Sequence, residues 1–139
     1  MIRVVFDTNI LVSALLFGGP PEALLVAASS GAFPVYSSAI LQDELFEVLG
    51  ERFSWEPPKL RELGHRLSAM WTLVEPSAEV TDCPDPDDNR VLECALECRA
   101  SHIVTGDGVL LALDPFRSVR IVRAASFLAE RPWEPEGTL

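Results

Sequence analysis

The chain has 139 residues, of which 48% are hydrophobic, and this size and composition are typical of one domain with its own core. Its 11 basic and 21 acidic residues give a formal charge of −10, which argues against nucleic-acid binding through a broad basic surface. No CxxC pair, signal peptide or membrane-length apolar stretch is recognisable, so we expect a cytoplasmic protein that does not associate with membranes.

The first part of the chain is predicted to start with a buried strand. Residues 2–6 are apolar and rich in β-branched side chains, which indicates such a strand, and a polar break separates them from a short helix over 10–17. Two glycines and two prolines then indicate a turn over 18–21. The next predicted elements are a helix, a strand and a helix, over 22–30, 34–37 and 38–50.

The rest of the chain alternates between strands and helices. Pro57 and Pro58 are typical of a helix start, and this helix is predicted to continue to about Met70. Strands follow over 71–75, 102–105 and 119–123, and helices over 87–100, 109–113 and 124–130. The alternation predicts a parallel sheet with helices on both faces. We expect one domain over 1–130 and a C-terminal tail over 131–139 that frays.

Two acidic residues follow predicted strands. Asp7 comes directly after the first strand, and Asp107 comes two residues after the strand that ends at Thr105. Ligands of open α/β sheets bind at the carboxyl ends of the strands, so we expect both carboxylates in one crevice. Each has a structural alternative, because Asp7 could cap a helix and Asp107 could serve the Gly-Asp-Gly turn.

Glu44 is predicted to point inward from its helix. It shares a helical stripe with Ile40, Leu41 and Val48, whereas the neighbouring acids lie on a solvated face. A carboxylate on the buried side is costly unless it is paired or bound to a metal ion. The alternative is a boundary residue whose charge reaches solvent.

The segment Asp85-Pro86-Asp87-Asp88 is explained in part by the start of a helix. Its first acid can be the N-cap, its proline suits the first turn, and acids are stabilised at the positive end of the helix dipole. Asp88 also lies on the helix face of Leu92, so we expect it to point inward. Glu93 and Glu97, one turn apart, are expected to form a separate polar pair.

Several converging carboxylates repel one another unless a cation lies between them. Hard divalent cations prefer oxygen ligands, and Mg²⁺ keeps several waters while binding one or two carboxylates directly. Such an ion polarises a phosphate, lowers the pKa of a bound water and stabilises a leaving oxygen. The acids therefore predict a Mg²⁺ or Mn²⁺ site for phosphoryl chemistry.

Three segments resemble the motifs of PIN domains, the PilT N-terminal type. They are VVFDTNIL at 4–11, DPDDNRVLECA at 85–95 and IVTGD at 103–107. The resemblance spans nearly the whole chain and implies a three-layer α/β/α fold with about five parallel strands and metal-dependent ribonuclease activity. It implies that the catalytic and metal-binding residues are Asp7, Glu44, Asp88 and Asp107. Asp43 and Glu47 are the fallback choices for the helix glutamate.

The resemblance also implies a mechanism and partners. A metal-bound water would attack the RNA phosphate and leave 5′-phosphate and 3′-hydroxyl ends, while Thr8, Asn9 and Thr105 position water, phosphate or carboxylates. Many bacterial members are VapC-like toxins, which implies a cognate antitoxin and often a homodimer. The alternative is a catalytically weak or inactive PIN-like domain that binds RNA or a protein.

RNA docking by so acidic a chain requires local cations. Four basic residues fall within one stretch and could form a basic patch: Arg52, Lys59, Arg61 and Arg66. Arg90, in the central acidic motif, could contact the RNA backbone, but a solvated helix arginine explains it more simply.

Overall fold

The computed structural model describes residues 1–135, and within them five parallel strands form one sheet. The strands are β1 (Val4–Phe6), β2 (Val35–Ser38), β3 (Trp71–Val74), β4 (His102–Val104) and β5 (Arg120–Val122). Their order is β3-β2-β1-β4-β5, so the chain first builds outward from β1 and then returns to its other side. The carboxyl ends of β1 and β4 therefore lie at the topological switch point, where open α/β sheets bind ligands.

Seven helices of residues 1–135 surround this sheet. They are α1 (Thr8–Leu16), α2 (Gly19–Ser29), α3 (Ala39–Phe53), α4 (Pro57–Met70), α5 (Pro86–Glu97), α6 (Gly108–Leu111) and α7 (Ala124–Glu130). Each strand and helix predicted from the sequence is present, with its ends shifted by up to three residues.

Side chains of β1 alternate between two hydrophobic cores. Val4 and Phe6 belong to one core, together with Leu24 of α2, whereas Val5 belongs to the other, together with Leu92 of α5. Alternation along a strand sends successive side chains to opposite faces of the sheet. Both faces are thus covered by helices, which confirms the three-layer α/β/α fold and explains why β1 is apolar throughout.

The start of α2 differs from the sequence prediction. The segment 18–21 was expected to be a turn, but α2 already begins at Gly19 and includes Pro20 and Pro21 in its first turn. Proline is tolerated there because the first N–H groups of a helix have no intrahelical partner. Within residues 1–135 no single helix is long and apolar enough to span a membrane, and α1 and α2 meet that test only as a pair bent by 98°.

The described part of the predicted tail packs on the domain. The Trp133 ring lies 4.9 Å from the Phe33 ring and 5.2 Å from the Phe127 ring, measured between centroids. Trp133 therefore packs against aromatic residues of the domain. The remainder of the predicted tail, 136–139, lies outside the described residues.

Candidate active site

Asp7 and Asp107 are linked through the hydroxyl group of Thr105. The Thr105 Oγ1 donates a hydrogen bond to Asp7 Oδ2 at 2.8 Å and accepts one from the Asp107 backbone N–H at 3.0 Å. Asp7 and Thr105 are both buried. Burial raises the pKa of Asp7, and the charge of Asp107 adds to this rise, while the Thr105 hydrogen bond opposes it. The two strand ends therefore bring these acids together, as expected from the sequence.

Asp107 also has a structural role in the Gly-Asp-Gly turn, which the sequence left open as an alternative. It is the N-cap of α6, and its Oδ1 accepts a hydrogen bond from the Val109 backbone N–H at 2.9 Å. An N-cap aspartate satisfies one of the unpaired donors at a helix start. This bond uses one carboxylate oxygen, so the helix fixes the orientation of Asp107 while its side chain stays half-buried beside the other acids.

Asp88 is buried at the start of α5 although it does not cap that helix. Asp85 is the N-cap, and its Oδ1 accepts from the Asp87 N–H at 2.9 Å. The side chain of Asp88 is only 9% exposed. Burial, followed by the hydrogen bond and the charge of Asp107, raises the pKa of Asp88 to about 7. The helix start thus explains Asp85, but it does not explain an acid held beside Asp107.

Glu44 lies at the edge of α3 rather than on its buried stripe. That stripe is Leu41, Leu45 and Leu49, whereas Ile40, which the sequence placed beside Glu44, is 52% exposed. Glu44 itself is half-buried. Burial, followed by the charges of Asp87 and Asp7, raises the pKa of Glu44 to about 7, and a hydrogen bond with Thr8 opposes this rise. The position of Glu44 is therefore that of a boundary residue, which was the alternative interpretation of the sequence, yet its carboxylate faces the other acids.

The remaining sequence candidates differ in their surroundings. Thr8 is buried next to Glu44, while Asn9 is exposed at the start of α1. Asp43 and Glu47, the fallback choices on α3, are also exposed. They line a cavity of about 410 Å³ between α3 and α5, together with Glu44.

Two buried side chains attach α5 to the preceding loop, Asn89, which the sequence did not single out, and Glu93, which was expected to pair with Glu97 instead. Asn89 Oδ1 accepts from the Cys83 N–H at 2.8 Å, and Asn89 Nδ2 donates to the Cys83 carbonyl at 2.9 Å. Glu93 Oε2 accepts from the Val80 N–H at 2.8 Å. Because Asn89 adjoins Asp88, these bonds fix the segment that carries the buried acid. Asn89 and Glu93 lie one helical turn apart on an otherwise apolar helix face, and this spacing could have indicated from the sequence that both are buried.

Glu93 therefore does not form a polar pair with Glu97, and that prediction is wrong. Glu93 is buried and its Oε1 lies 2.9 Å from Arg90 Nε, whereas Glu97 is exposed and accepts from Ser77. Arg90 is half-buried and lines the cavity that contains Glu44. It is thus not the solvated helix arginine that the sequence favoured, because a buried carboxylate requires a charged partner.

The acids suit a hard divalent cation chemically. Within residues 1–135 no three His, Cys, Asp or Glu side chains form a group that could by itself hold a metal ion. Mg²⁺ does not require such a group, since it binds one or two carboxylates and keeps its waters. Asp88 and Asp107 stand close enough to share a hydrogen bond, and Asp7 and Glu44 contribute further negative charge. An ion would offset this repulsion, so the residues fit a hydrated cation.

The pH dependence of stability tests this repulsion in the metal-free protein. The pKa of Glu44 is about 7 in the folded state against 4.5 for the ordinary group, so the folded chain binds more protons between these values. The contribution of Glu44 to the unfolding free energy is therefore highest below pH 4.5 and is lost as the pH rises through about 7. In EDTA, we expect Glu44→Gln to melt higher than the wild type at pH 8 and at a similar temperature near pH 5.

The pH dependence of the wild type alone does not isolate Glu44, because His102 changes the stability in the opposite direction. Burial lowers the pKa of His102, so its contribution to stability increases as the pH rises through its folded pKa. Glu47→Gln, which removes an exposed carboxylate from the same helix, is the matched control and should follow the wild type. A Glu44→Gln melting curve parallel to that of the wild type at all pH values would contradict the crowding of Glu44.

Comparisons with known proteins found one family model and a similar archaeal protein. A family model described as PIN domain matches residues 3–108, a range that contains β1 to β4 and all four acids. The uncharacterized protein MJ1680 of Methanocaldococcus jannaschii is 32% identical over 124 residues, which cover 81% of this chain and 75% of that protein. Both matches extend over most of the described fold.

Proposed function

Because the chain belongs to the PIN-domain family, whose members are generally nucleases, we propose that it is a Mg²⁺- or Mn²⁺-dependent endoribonuclease. One observation carries this proposal. Acids from separate parts of the chain meet at the switch point of the sheet, where Asp88 is held beside Asp107 and its pKa is raised to about 7. A purely structural role gives no reason to bury one carboxyl group against another, whereas a cation site does.

Each acid has a proposed role in the reaction. Asp7 and Asp107 would bind the ion directly, and Asp88 would bind it directly or through water. A bound ion supplies Lewis-acid activation of water and phosphate. Glu44 would bind the ion directly or through water and would take the proton of the attacking water. The products are a 5′-phosphate and a 3′-hydroxyl.

Three polar residues support these acids. The Thr105 hydroxyl donates to Asp7 Oδ2, and this carboxylate would hold the ion. Hydrogen bonds of this kind fix the orientation of metal ligands and tune their basicity. Thr8 lies beside Glu44, and Asn9 is exposed at the same helix start, where its amide can reach a phosphate. We assign Thr8 and Asn9 to the positioning of water and substrate.

The biological role that we propose is the toxin of a toxin–antitoxin pair in the cytoplasm. The resemblance to VapC-like proteins supports it, and a cognate antitoxin is then the expected protein partner, with a second copy of the chain as another. Co-expression with the product of a small neighbouring open reading frame tests this role. Binding that silences RNA cleavage supports it, and growth that is unaffected by the chain alone argues against it.

The ribonuclease proposal is tested by cleavage of single-stranded RNA. We expect cleavage with Mn²⁺ or Mg²⁺, none in EDTA, and at least about a hundredfold loss in Asp7→Asn. End-labelling should identify 5′-phosphate and 3′-hydroxyl products. Equal cleavage by Asp7→Asn would mean that another site or a contaminant acts. RNA binding without cleavage at any metal concentration would favour the alternative, a PIN-like binding module.

A further inference from the structure

Aromatic side chains are exposed at the ends of α1 and α3. Phe17 is 75% exposed and Phe53 is 38% exposed, and their rings meet edge to face with centroids 6.4 Å apart. Trp55 follows shortly after Phe53 and is half-buried. We call Phe17, Phe53 and Trp55 the aromatic shelf. Single exposed apolar residues are common, but neighbouring exposed rings in contact indicate a binding surface.

Phe53 and Trp55 of the aromatic shelf lie in a basic stretch of an acidic chain. Residues 52–66 contain four of the 11 basic and two of the 21 acidic residues. The Lys59 Nζ lies 4.0 Å from the centre of the Trp55 ring, which is a cation–π contact. Arg66 lines a cavity of about 250 Å³ together with Trp55 and Lys59. Two residues of the predicted basic patch, Lys59 and Arg66, thus lie beside an aromatic ring, which the sequence did not indicate. Glu62 lines the same cavity, with its Oε1 3.3 Å from Arg66 Nη2.

The aromatic shelf lies apart from the candidate active site but is connected to it by two helices. Thr8 contacts Glu44, and nine residues further along each helix Phe17 contacts Phe53. Nine helical residues are two and a half turns, or about 13 Å. The cavity beside Glu44 extends along α3 to Arg52, the neighbour of Phe53, and its lining includes the acids Asp43, Glu47, Glu51 and Asp87. A ligand several units long can therefore contact both places.

We propose that the aromatic shelf binds single-stranded RNA outside the cleavage site, which rests on the proposed ribonuclease function. Unpaired bases stack on Phe17 and Phe53, and phosphates bind Lys59 and Arg66. Proteins that bind single strands without sequence preference combine aromatic rings with cations in this way. The charges favour RNA over a protein partner, because this stretch is basic in a chain of formal charge −10. The surface also explains how an acidic nuclease holds a polyanion.

Binding is measured by the fluorescence anisotropy of a labelled RNA of about 20 nucleotides, with EDTA present to prevent cleavage. We expect Phe17→Ser to weaken binding by about tenfold. We expect Lys59→Glu to reduce the slope of log affinity against log salt by about 0.7. Duplex RNA of the same sequence should bind more weakly and should not respond to Phe17→Ser, because its bases are already stacked.

Two matched variants control for changed hydrophobicity and charge. Leu73→Ser removes an apolar side chain that is 46% exposed on β3, and Arg99→Glu reverses an exposed charge beyond the end of α5. Both should bind RNA as the wild type does. Unchanged RNA affinity in Phe17→Ser and Lys59→Glu would overturn the proposal. A change in sedimentation coefficient alone, without a change in RNA affinity, would assign the aromatic shelf to contacts between copies instead.

A cleavage assay separates this inference from the ribonuclease proposal. With Mn²⁺, Phe17→Ser should cleave the long RNA more slowly than the wild type and a dinucleotide at the same rate, because a dinucleotide cannot reach the aromatic shelf. Equal rates on both substrates would overturn the inference and leave the ribonuclease proposal standing. Wild-type protein that binds RNA through the shelf and cleaves neither substrate would overturn only the ribonuclease proposal.

Discussion

Asp88→Asn is expected to lower RNA cleavage by at least about a hundredfold without destabilising the metal-free protein. Asparagine has nearly the shape of aspartate but no charge, so it removes a proposed contact to the ion. Without an ion, the Asp88 carboxylate is buried beside Asp107, and both effects raise its pKa to about 7. Above that pH the charge is unfavourable in the folded state. Removal of the charge should therefore leave the melting temperature unchanged or higher at pH 8 in EDTA.

The exposed neighbour Asp87 provides the matched control. Asp87→Asn changes the same charge in the first turn of α5, yet Asp87 lies outside the buried acid pair. It should retain most of the cleavage activity. Thermal melting in EDTA and initial cleavage rates with Mn²⁺ measure the two effects separately. A melting temperature that falls by many degrees in Asp88→Asn would show that this acid chiefly stabilises the helix start.

Asn89→Ala is expected to destabilise the fold by about 2–4 kcal/mol. The side chain makes hydrogen bonds of 2.8 and 2.9 Å with the backbone N–H and carbonyl of Cys83, and all three groups are buried. Alanine leaves both backbone groups without these partners, and each unsatisfied buried group costs about 1–3 kcal/mol. Urea denaturation measures the change in unfolding free energy.

Asn9→Ala removes the same side chain from an exposed position of α1 and should change the unfolding free energy by about 0.5 kcal/mol or less. Glu93→Gln keeps an oxygen that can accept from the Val80 N–H but removes the ion pair with Arg90, so its cost measures that ion pair. Equal stability of Asn89→Ala and Asn9→Ala would mean that the loop is held by other contacts and that Asn89 is dispensable.

The sequence predicted those parts of the site that depend on local order. Asp7 and Asp107 follow strands, and the rule that ligands bind at strand carboxyl ends places them together without knowledge of any side-chain contact. The N-cap role of Asp85 follows equally from its place before a proline. Apolar runs together with Gly, Pro and capping residues identified every helix and strand of residues 1–135, because both cores are built from repeating apolar faces.

Features set by distant contacts could not be predicted in this way. Asn89 and Glu93 are polar residues whose burial depends on how the preceding loop returns to α5. The buried stripe of α3 consists of Leu41, Leu45 and Leu49. The apolar residues of this helix were compatible with more than one such stripe. The aromatic shelf depends on α1 and α3 lying side by side, which brings Phe17 to Phe53 from 36 residues away. Tertiary packing decides such contacts.

The hydrogen bond between Thr105 and Asp7 also has a consequence during protein synthesis. The ribosome makes Asp7 before its hydroxyl partner Thr105, which follows 98 residues later, directly after the strand that pairs with β1. The pairing of two central strands that are so far apart in the sequence forms late in folding, because a large loop of the chain must close first. A nascent or prematurely terminated polypeptide that lacks β4 has an unpaired central strand and an incomplete acid cluster. The complete cluster therefore exists only in a chain that has been translated beyond β4.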